Sequence, residues 1–422
     1  MMKNRLLKLT LFFISFIFCQ GYMNAIGLGK FYSNQGVYNA MDGVNTLAPS
    51  ILKNVNFSNP STWHNLKFTY LSLSYSADQT SFEKFSLVNA YSGLSNALWV
   101  IPIKSKYSFG VSISPYINQK VSLVDQDTVA FIAFDDTLQI SRSFQRSGGL
   151  LSLKIGSSYE FSQNISLGIM ANVLFGSSRQ NESVKFSGNN IIQTTRNRYN
   201  GLISNFFLSL KLQNDITLYS LIKKTLKPVE NARLDKHLFD DANSNGFHDW
   251  SSPYFDFPFP DSVTSSSEYR ISDVHNPGGL QFAISKLFDK KWSVALEWSS
   301  EFDNSKGLKN IDFPVDNWIY QTNSFKTSFS RFANSSSLNI FDKISFRSGL
   351  QYSSYILGNN KKAIQQYGCS IGSGFKFRSV GNQVDLNFCF GFREYPTSSG
   401  QELYQQLQMS ISLGDIWFIK RR

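Results

Sequence analysis

This chain lacks long apolar runs, has few charged residues and shows no boundary in composition, and these absences narrow its class. Only 17% of its 422 residues are charged, and no composition shift divides it into the two domains that an ordinary globular protein of this length has. Beyond the first 25 residues no stretch of 18 apolar residues occurs, which excludes a bundle of transmembrane helices. The 38 Phe and 19 Tyr indicate instead a β-protein with aromatic girdles.

Cysteine is also scarce. One of the three cysteines lies in the first 25 residues, and Cys369 and Cys389 lie on consecutive predicted strands. Alternation puts Cys369 on the apolar face and Cys389 on the polar face, so their side chains point apart. We therefore predict no disulfide between them.

The motifs of an enzyme are missing. The chain has no nucleophile motif and no phosphate-binding glycine loop, and its histidines are scattered at positions 64, 237, 248 and 275. A hydrolase needs a histidine that converges with Ser or Asp. The one grouping of this kind, His237 and His248 with nearby Asp240 and Asp249, is interpreted as incidental. We predict that the protein is not an enzyme.

Residues 1–25 are typical of a secretory signal peptide. Three basic residues are followed by an apolar core over residues 9–19, which is too short to span a membrane. Cleavage after Ala25 and cleavage after Gly21 both fit. Without the three basic residues of the signal, 38 of the 41 Lys and Arg remain against 30 Asp and Glu, a net charge of about +8. Because an exported chain does not meet nucleic acid, we expect no nucleic-acid partner.

From about residue 66 onward, apolar and polar residues alternate in segments of about ten residues. The clearest segment runs from Tyr107 to Ile117. Its apolar residues Tyr107, Phe109, Val111, Ile113 and Ile117 are predicted to face one way, and the small polar residues between them the other. The connections are short and long in turn. A transmembrane barrel requires this pattern, because its outside meets lipid, its inside meets water, and its strands cross the membrane up and down.

Counting the segments predicts an all-β fold, a transmembrane antiparallel β-barrel of about 14 strands over residues 66–422. The strands lie near residues 66, 92, 106, 147, 165, 200, 216, 277, 292, 323, 342, 366, 384 and 403. Those near 92 and 323 alternate least, so twelve and sixteen strands also fit. The long connections, predicted to be extracellular loops, are 120–146, 178–199, 229–276, 303–322, 356–365 and 393–402. A secreted β-sandwich or propeller is the alternative, but neither needs this strict alternation of connections, and the longest loop fits a compact sandwich poorly.

Residues 26–65 do not alternate and carry short motifs instead. They include Gly27-Leu28-Gly29 and Asn59-Pro60-Ser61, and Ala97–Ile103 precedes the third predicted strand. These motifs resemble those of the FadL-type transporters of long-chain fatty acids and hydrocarbons and their PorV-like relatives, although Ala is usual where Ser61 stands. The resemblance implies that residues 26–65 form a plug inside the barrel, carried by Asn34, Gln35, Gly36, Asn59 and Pro60. A periplasmic extension is the alternative, but a barrel of fourteen strands is too wide for its own side chains to fill.

The same resemblance implies a function. It is passive uptake of hydrophobic small molecules across the outer membrane of a Gram-negative bacterium, with capture at the loops, passage past the plug and release through a lateral opening. The alternative is a PorV-like structural or shuttle barrel that binds secreted proteins and transports nothing, and a third reading is a general polar pore. The closing aromatics Trp417 and Phe418 resemble the signal read by the barrel-assembly machinery, so we expect that machinery and outer-membrane lipid as partners.

The loop over residues 229–276 holds a candidate calcium site. Asp241, Asn243, Asn245 and Asp249 offer oxygen atoms at alternate positions, and a glycine at the sixth position permits a sharp turn, as in calcium-binding loops. Ser252 stands where such loops carry a bidentate Glu. The sequence therefore predicts either a weak or incomplete calcium site or a surface turn rich in Asn and Gly. No other cofactor is expected.

Five aromatic residues follow in the same loop: Trp250, Tyr254, Phe255, Phe257 and Phe259. Apolar side chains in an extracellular loop have no lipid to face, so they pack against a neighbouring loop or bind a ligand or partner. In FadL-type transporters the corresponding loops form an apolar capture groove. We predict that these five residues begin the path of a hydrophobic ligand, with simple loop packing as the alternative.

Overall fold

The computed structural model describes residues 22–32, 42–50, 54–82, 87–104, 106–124, 129–133, 136–186, 189–239, 265–289, 291–311, 313, 315, 317–334, 337, 339–359, 361–377, 382–396 and 400–415. Within these residues nearly all regular structure is antiparallel strand. The strands are β1 (Lys30–Phe31), β2 (Thr69–Phe82), β3 (Leu87–Lys104), β4 (Tyr107–Asn118), β5 (Val121–Val124), β6 (Val129–Ala133), β7 (Asp136–Ser162), β8 (Ile165–Phe186), β9 (Asn189–Lys211), β10 (Ile216–Phe239), β11 (Ser265–His275), β12 (Pro277–Phe288), β13 (Trp292–Asp303), β14 (Ile319–Arg331), β15 (Ile344–Leu357), β16 (Ala363–Lys376), β17 (Gln383–Glu394) and β18 (Gln401–Asp415). Short 3-10 turns lie at Tyr22–Asn24, Pro60–Asn65, Gly307–Asn310 and Ile340–Lys343. None of the helical turns in the described chain is long and apolar enough to cross a membrane.

Fourteen of the described strands close into one antiparallel barrel. Their spatial order is β2, β3, β4, β7, β8, β9, β10 and then β12 to β18, and β18 pairs back with β2 from Glu402 opposite Phe82 to Asp415 opposite Thr69. Closure pairs the last strand with the first, as a sheet that stands in lipid requires. The predicted transmembrane barrel and its fourteen strands are confirmed, including the two strands near residues 92 and 323.

The barrel is apolar outside and polar inside. On β18, Leu407, Met409 and Ile411 are each more than 40% exposed, whereas Gln408 and Ser410 between them are 1% exposed. A soluble sheet shows the opposite distribution. The exposed apolar side chains form the lipid-facing surface, and the buried polar side chains line the lumen.

On β4 the predicted alternation holds only as far as Pro115. Ile113 is 37% exposed while Ser112 and Ser114 are buried, as predicted. Ile117 was predicted to face outward, and this is wrong, because it is 2% exposed. The register with β7 shifts between Pro115 and Ile117, and such a bulge turns the residues after it to the other face.

One side of the barrel rises far above the membrane. The strands β7, β8, β9 and β10 contain 27, 22, 23 and 24 residues, whereas about 9–11 residues cross a bilayer. The strands β5 and β6 extend this wall beside β7, and β11 extends it beside β10. Where the structure describes them, the stretches 120–146 and 178–199 and both ends of 229–276 are mostly strand, so their assignment to loops was wrong there. Residues 240–264 lie outside the described residues. Neither face of these extensions is apolar, so the alternation signal is absent although the backbone still pairs.

The two cysteines lie on the faces that alternation predicted. Cys389 is buried in the lumen in a cluster with Val44 and Tyr404, and Cys369 is only partly buried on the opposite face of β16. Both thiols are free.

Candidate functional site: the lumen and the N-terminal segment

The described parts of the chain before β2 pack against inward-facing residues of the barrel. They are residues 22–32, 42–50 and 54–68, called the N-terminal segment below, and most of their side chains are buried. The turn Pro60–Asn65 contacts β3, β4, β7, β8 and β9. The segment therefore lies in the lumen.

Asn59 and Pro60 start this turn and join it to the rest of the segment. The Asn59 side chain accepts a hydrogen bond from the Ser61 N–H at 3.1 Å and donates one to the Leu47 carbonyl at 3.0 Å. Pro60 occupies the first turn position, where its missing N–H costs nothing. The Ser61 hydroxyl hydrogen-bonds that of Ser209 on β9, which ties the turn to the wall. The other predicted plug residues, Asn34, Gln35 and Gly36, lie outside the described residues.

The Trp63 side chain packs against two glycines of the barrel wall and so positions the turn. The indole is 1% exposed, and its Nε1 donates to the Phe57 carbonyl at 3.2 Å. A β-carbon at Gly110 of β4 would lie 2.6 Å from the ring, and one at Gly156 of β7 would lie 2.9 Å from it. The ring reaches the wall only because both positions lack a side chain.

One carboxylate holds residues 46–48 of the segment. Glu297 of β13 is 2% exposed, and its Oε1 accepts hydrogen bonds from the N–H groups of Leu47 at 2.9 Å and Ala48 at 2.8 Å. Its Oε2 accepts from the N–H and from the hydroxyl of Thr46, both at 2.8 Å. Three successive amides thus converge on a single buried charge, and charge-assisted bonds of this kind are the strong ones.

Arg146 of β7 holds the first described residues. Its guanidinium, 4% exposed, donates to the carbonyls of Asn24 at 2.9 Å and Gly27 at 3.2 Å. The Asn24 amide donates in turn to the Lys120 carbonyl at 2.7 Å. Residues 22–27 are therefore integrated into the barrel interior.

The barrel wall is interrupted between β3 and β4. Their ladder covers only Ala97 to Lys104 of β3, and the described residues 87–96 pair with β2 alone. Beyond Ile113, β4 pairs with β1 of the N-terminal segment, where Lys30 lies opposite Asn118. Because the other edge of β4 is paired with β7, β1 occupies the edge that β3 has left. The N-terminal segment supplies a strand where the wall lacks one.

A cavity of about 140 Å³ lies in the lumen beside this interruption. Asn96 of β3 and Pro115 of β4 contribute to its lining from the two sides of the gap. Apolar side chains make up much of the rest, namely Tyr32, Phe57, Leu98, Tyr116, Met170, Ile203, Phe207 and Leu221. The cavity is therefore amphipathic.

The same cavity is lined by three lysines, Lys154, Lys223 and Lys326. Lys223 forms an ion pair with Glu301 at 2.6 Å. Lys326 is 9% exposed and stands opposite Glu297 across the β13–β14 ladder, but that carboxylate is occupied by the N-terminal segment. Within the described chain, Lys326 has no ion pair or hydrogen bond. Glu297 and Glu301 attract the Lys326 ammonium but do not contact it, and a buried ammonium without a direct partner is costly. The ammonium faces the cavity.

Neutral polar atoms in the cavity also lack partners. Asn96 Oδ1, Asn172 Oδ1, Asn205 Oδ1 and Ser152 Oγ are buried and make no hydrogen bond to any described residue. Most buried polar atoms in proteins are paired. A cluster of unpaired ones around a cavity marks a place where a ligand or water binds.

A larger depression, of about 570 Å³, lies on the outside of the barrel. Ser220 of β10 forms its floor between Leu208 of β9 and Phe282 of β12, which stand opposite it on the two neighbouring strands. The Phe282 ring stacks on Trp298 at 6.1 Å. These side chains face lipid, so we do not assign a substrate to this depression.

The other predicted site residues are not described by the structure. The aromatic ligand residues Trp250, Tyr254, Phe255, Phe257 and Phe259 and the calcium positions Asp241, Asn243, Asn245 and Asp249 all lie outside the described ranges. Inside those ranges no three His, Cys, Asp or Glu side chains are grouped to hold a metal.

The sequence analysis did not single out Lys326, Asn172 or Asn205. All three lie on the polar face of a strand, and that signal alone does not separate a ligand-binding residue from one that solvates the lumen. What distinguishes these three residues is that they line one cavity.

Three solved structures have a similar fold. The crystal structure of a Pseudomonas aeruginosa FadL homologue has a TM-score of 0.58 and 13% identity, covering 92% of this chain and 99% of that one. The Ralstonia pickettii toluene transporter TbuX has a TM-score of 0.52 and 11% identity, covering 94% and 100%. The Pseudomonas putida toluene transporter TodX has a TM-score of 0.50 and 12% identity, covering 86% and 94%. At these identities the likeness shows the fold.

Sequence comparison gives the family. No curated protein matches the chain. The family model named BamG matches residues 1–422, and the chain therefore belongs to the BamG family.

Proposed function

We propose that the protein is an outer-membrane channel for passive uptake of small hydrophobic molecules that carry a polar or anionic head. The observation that carries this proposal is the lumen cavity, where apolar side chains and the Lys326 ammonium face the same space. An amphiphile satisfies both, because its chain covers the apolar lining and its head makes the direct ionic contact that Lys326 lacks. The unpaired side-chain oxygens of Asn172 and Asn205 accept hydrogen bonds, so they suit a hydroxyl group of the ligand or a water molecule beside its head.

The N-terminal segment and the wall interruption define the route. The segment occupies a lumen that fourteen strands cannot fill with their own side chains. The cavity lies between the segment and the gap of β3 and β4, so we infer that a ligand leaves sideways through this gap when β1 shifts away from β4. The aromatic loop residues around Trp250 stay the proposed entry, and calcium binding at Asp241–Asp249 stays a prediction.

The structures of similar fold agree with this proposal. They are a FadL homologue and two toluene transporters, and none of them is named as an enzyme. A transmembrane barrel of this kind belongs to an outer membrane, which in turn requires export, here through cleavage of residues 1–21 or 1–25. The choice of an amphiphile over toluene for this chain rests on Lys326.

Ligand binding to Lys326→Gln tests the proposal. Oleate and methyl oleate share one hydrocarbon chain, and only oleate carries a carboxylate. We expect the purified wild-type barrel to bind oleate more tightly than methyl oleate. A charge-assisted bond contributes about 1.5–3 kcal/mol, so Lys326→Gln should weaken oleate binding by roughly tenfold or more and leave methyl oleate unchanged.

Lys291→Gln is the matched control. Lys291 is exposed next to the short turn between β12 and β13, so its substitution removes a lysine without touching the lumen. Binding of both ligands should stay at the wild-type level. Wild-type protein that binds neither ligand, or Lys326→Gln that binds oleate as well as the wild type does, would reject the proposed channel function.

The family name supports a second candidate function. The model that matches the whole chain is named BamG, and the prefix points to the barrel-assembly machinery. We infer as the alternative that the barrel associates with that machinery, beyond being inserted by it. Cross-linking in intact cells, followed by affinity purification through this chain, should then recover an assembly component in stoichiometric amount, and Lys326→Gln should not reduce the recovery. Recovery of no such component contradicts this candidate and leaves the channel unaffected.

A further inference from the structure

Three arginines form a cluster on the outer surface of the barrel. Arg179 lies on β8 and Arg196 and Arg198 lie on β9, and all three are exposed. Arg179 stands directly opposite Arg196 in the β8–β9 ladder. Arg198 is two residues from Arg196 on the same face. Side chains in such positions have β-carbons about 5–8 Å apart.

No acid neutralises this cluster in the described chain. The positions directly beside the three arginines on the same face are uncharged, namely Ser147, Ser177, Thr194, Asn200, Ala232 and Leu234. Glu230 of β10 lies diagonally across from Arg198, but its carboxylate pairs with Lys227 at 3.4 Å. Glu268 of β11 lies one strand beyond Leu234, which places it about 10 Å from Arg196. Like charges directly opposite each other destabilise a sheet, so the arrangement favours a bound anion.

The cluster lies at the extracellular edge of the lipid-facing band. Going up β8, the outward residues are Ile169, Val173 and Phe175, each at least 38% exposed, and then Ser177 and Arg179. Ten residues separate Ile165 at the short-turn end from Phe175. In a strand tilted by about 40° this spans about 25 Å, the height of the apolar band of such barrels. The face changes from apolar to basic within four residues of Phe175.

We propose that Arg179, Arg196 and Arg198 bind the phosphate groups of the phosphorylated glycolipid of the outer leaflet, lipopolysaccharide. The acyl chains of a lipid that lies along Val173 and Phe175 place its head at the height of the cluster. Arginine matches phosphate oxygens with paired, parallel hydrogen bonds. An acidic protein would also supply negative charge, but it would not cover the lipid-facing apolar surface next to the arginines as acyl chains do. The continuity of the two surfaces therefore selects a lipid.

The test measures binding of purified, detergent-solubilised barrel to defined lipids by native mass spectrometry. The probes are diphosphorylated lipid A, fully dephosphorylated lipid A, phosphatidylglycerol and inorganic phosphate. The variant R179S/R196S/R198S removes the cluster, R179K/R196K/R198K keeps its charge, and K291S is the control. Heat-modifiable migration on gels confirms that each variant is folded, and R196S alone replaces the triple variant if that one fails to fold.

We expect diphosphorylated lipid A to bind the wild type and K291S equally and to bind the serine variant at least tenfold more weakly. The lysine variant should fall between them. Dephosphorylated lipid A and inorganic phosphate should not discriminate between the wild type and the serine variant. Equal binding of diphosphorylated lipid A to all variants overturns the proposal. So does wild-type binding of phosphatidylglycerol as tight as that of lipid A, because the cluster would then be a general anionic-lipid surface.

Discussion

Replacing Glu297 by Gln should release the N-terminal segment from the barrel wall. In the wild type its two carboxylate oxygens accept four hydrogen bonds from Thr46, Leu47 and Ala48. In the variant an NH₂ group replaces one oxygen, so at least one N–H of the segment faces a donor. An unsatisfied buried donor costs about 1–3 kcal/mol, and the remaining bonds fall from charge-assisted to neutral strength, losing about 1 kcal/mol each. The sum is about 3–5 kcal/mol.

Hydrogen exchange of three backbone amides reports this loss directly. A change of about 3–5 kcal/mol raises the population of the locally open segment by roughly 10²–10⁴-fold, and amide exchange follows that population. The amides of Thr46, Leu47 and Ala48 should therefore exchange faster by about that factor, while those of β13 keep their protection.

Glu301→Gln is the control for this experiment. Glu301 lies four residues from Glu297 on β13, but its carboxylate pairs with Lys223 at 2.6 Å and not with the segment. Exchange at residues 46–48 should be unchanged in this variant. If Glu297→Gln also leaves these three amides protected, the carboxylate does not hold the segment and the reasoning fails.

Three further predictions concern the same segment. Gly110→Val should displace Trp63, because the β-carbon of the new valine would lie 2.6 Å from the indole ring. Acrylamide should then quench the tryptophan fluorescence more strongly than in the wild type. Ser112→Val, on the same inward face of β4, should leave the quenching unchanged. Burial raises the pKa of Asp42 from 3.8 to about 6, so the folded segment holds a proton that the unfolded segment releases. Protection of the segment against protease should therefore be greatest below about pH 4 and fall as the pH rises through about 6. Asp42→Asn should remove this pH dependence. Protection of the wild type that increases with pH would contradict the prediction. Finally, the mature chain should begin at Tyr22, because Met23 and Ala25 are 1% and 2% exposed inside the barrel; N-terminal sequencing that starts at Ile26 would show otherwise.

The lipid-facing strands were predictable from sequence because lipid imposes a strict rule on them. Every second residue must be apolar where a strand meets hydrocarbon, so β4 could be recognised from Phe109, Val111 and Ile113 alone. The same rule located β3 and β14, whose alternation is weaker. It failed at Ile117, where a bulge beside Pro115 changes the face without changing the composition.

The extracellular wall and the lumen were not predictable in this way. The upper parts of β7 to β10 have water on at least one face, so residues such as Arg196 and Arg198 carry no periodic apolar signal. In the lumen, Lys326 and Lys223 look alike in sequence. Lys223 pairs with Glu301, whereas the carboxylate nearest to Lys326, that of Glu297, binds the N-terminal segment. Both arrangements depend on contacts between distant parts of the chain.

The pairing of β2 with β18 has a consequence for biogenesis. The cylinder cannot be sealed until Gln401–Asp415 has been synthesised, and the N-terminal segment, which is made first, must be enclosed when the barrel closes. Correct enclosure of the amino terminus is thus a checkpoint in maturation. A molecule that is sealed without it would leave an open bore in the cell envelope, through which bulky antibiotics could enter.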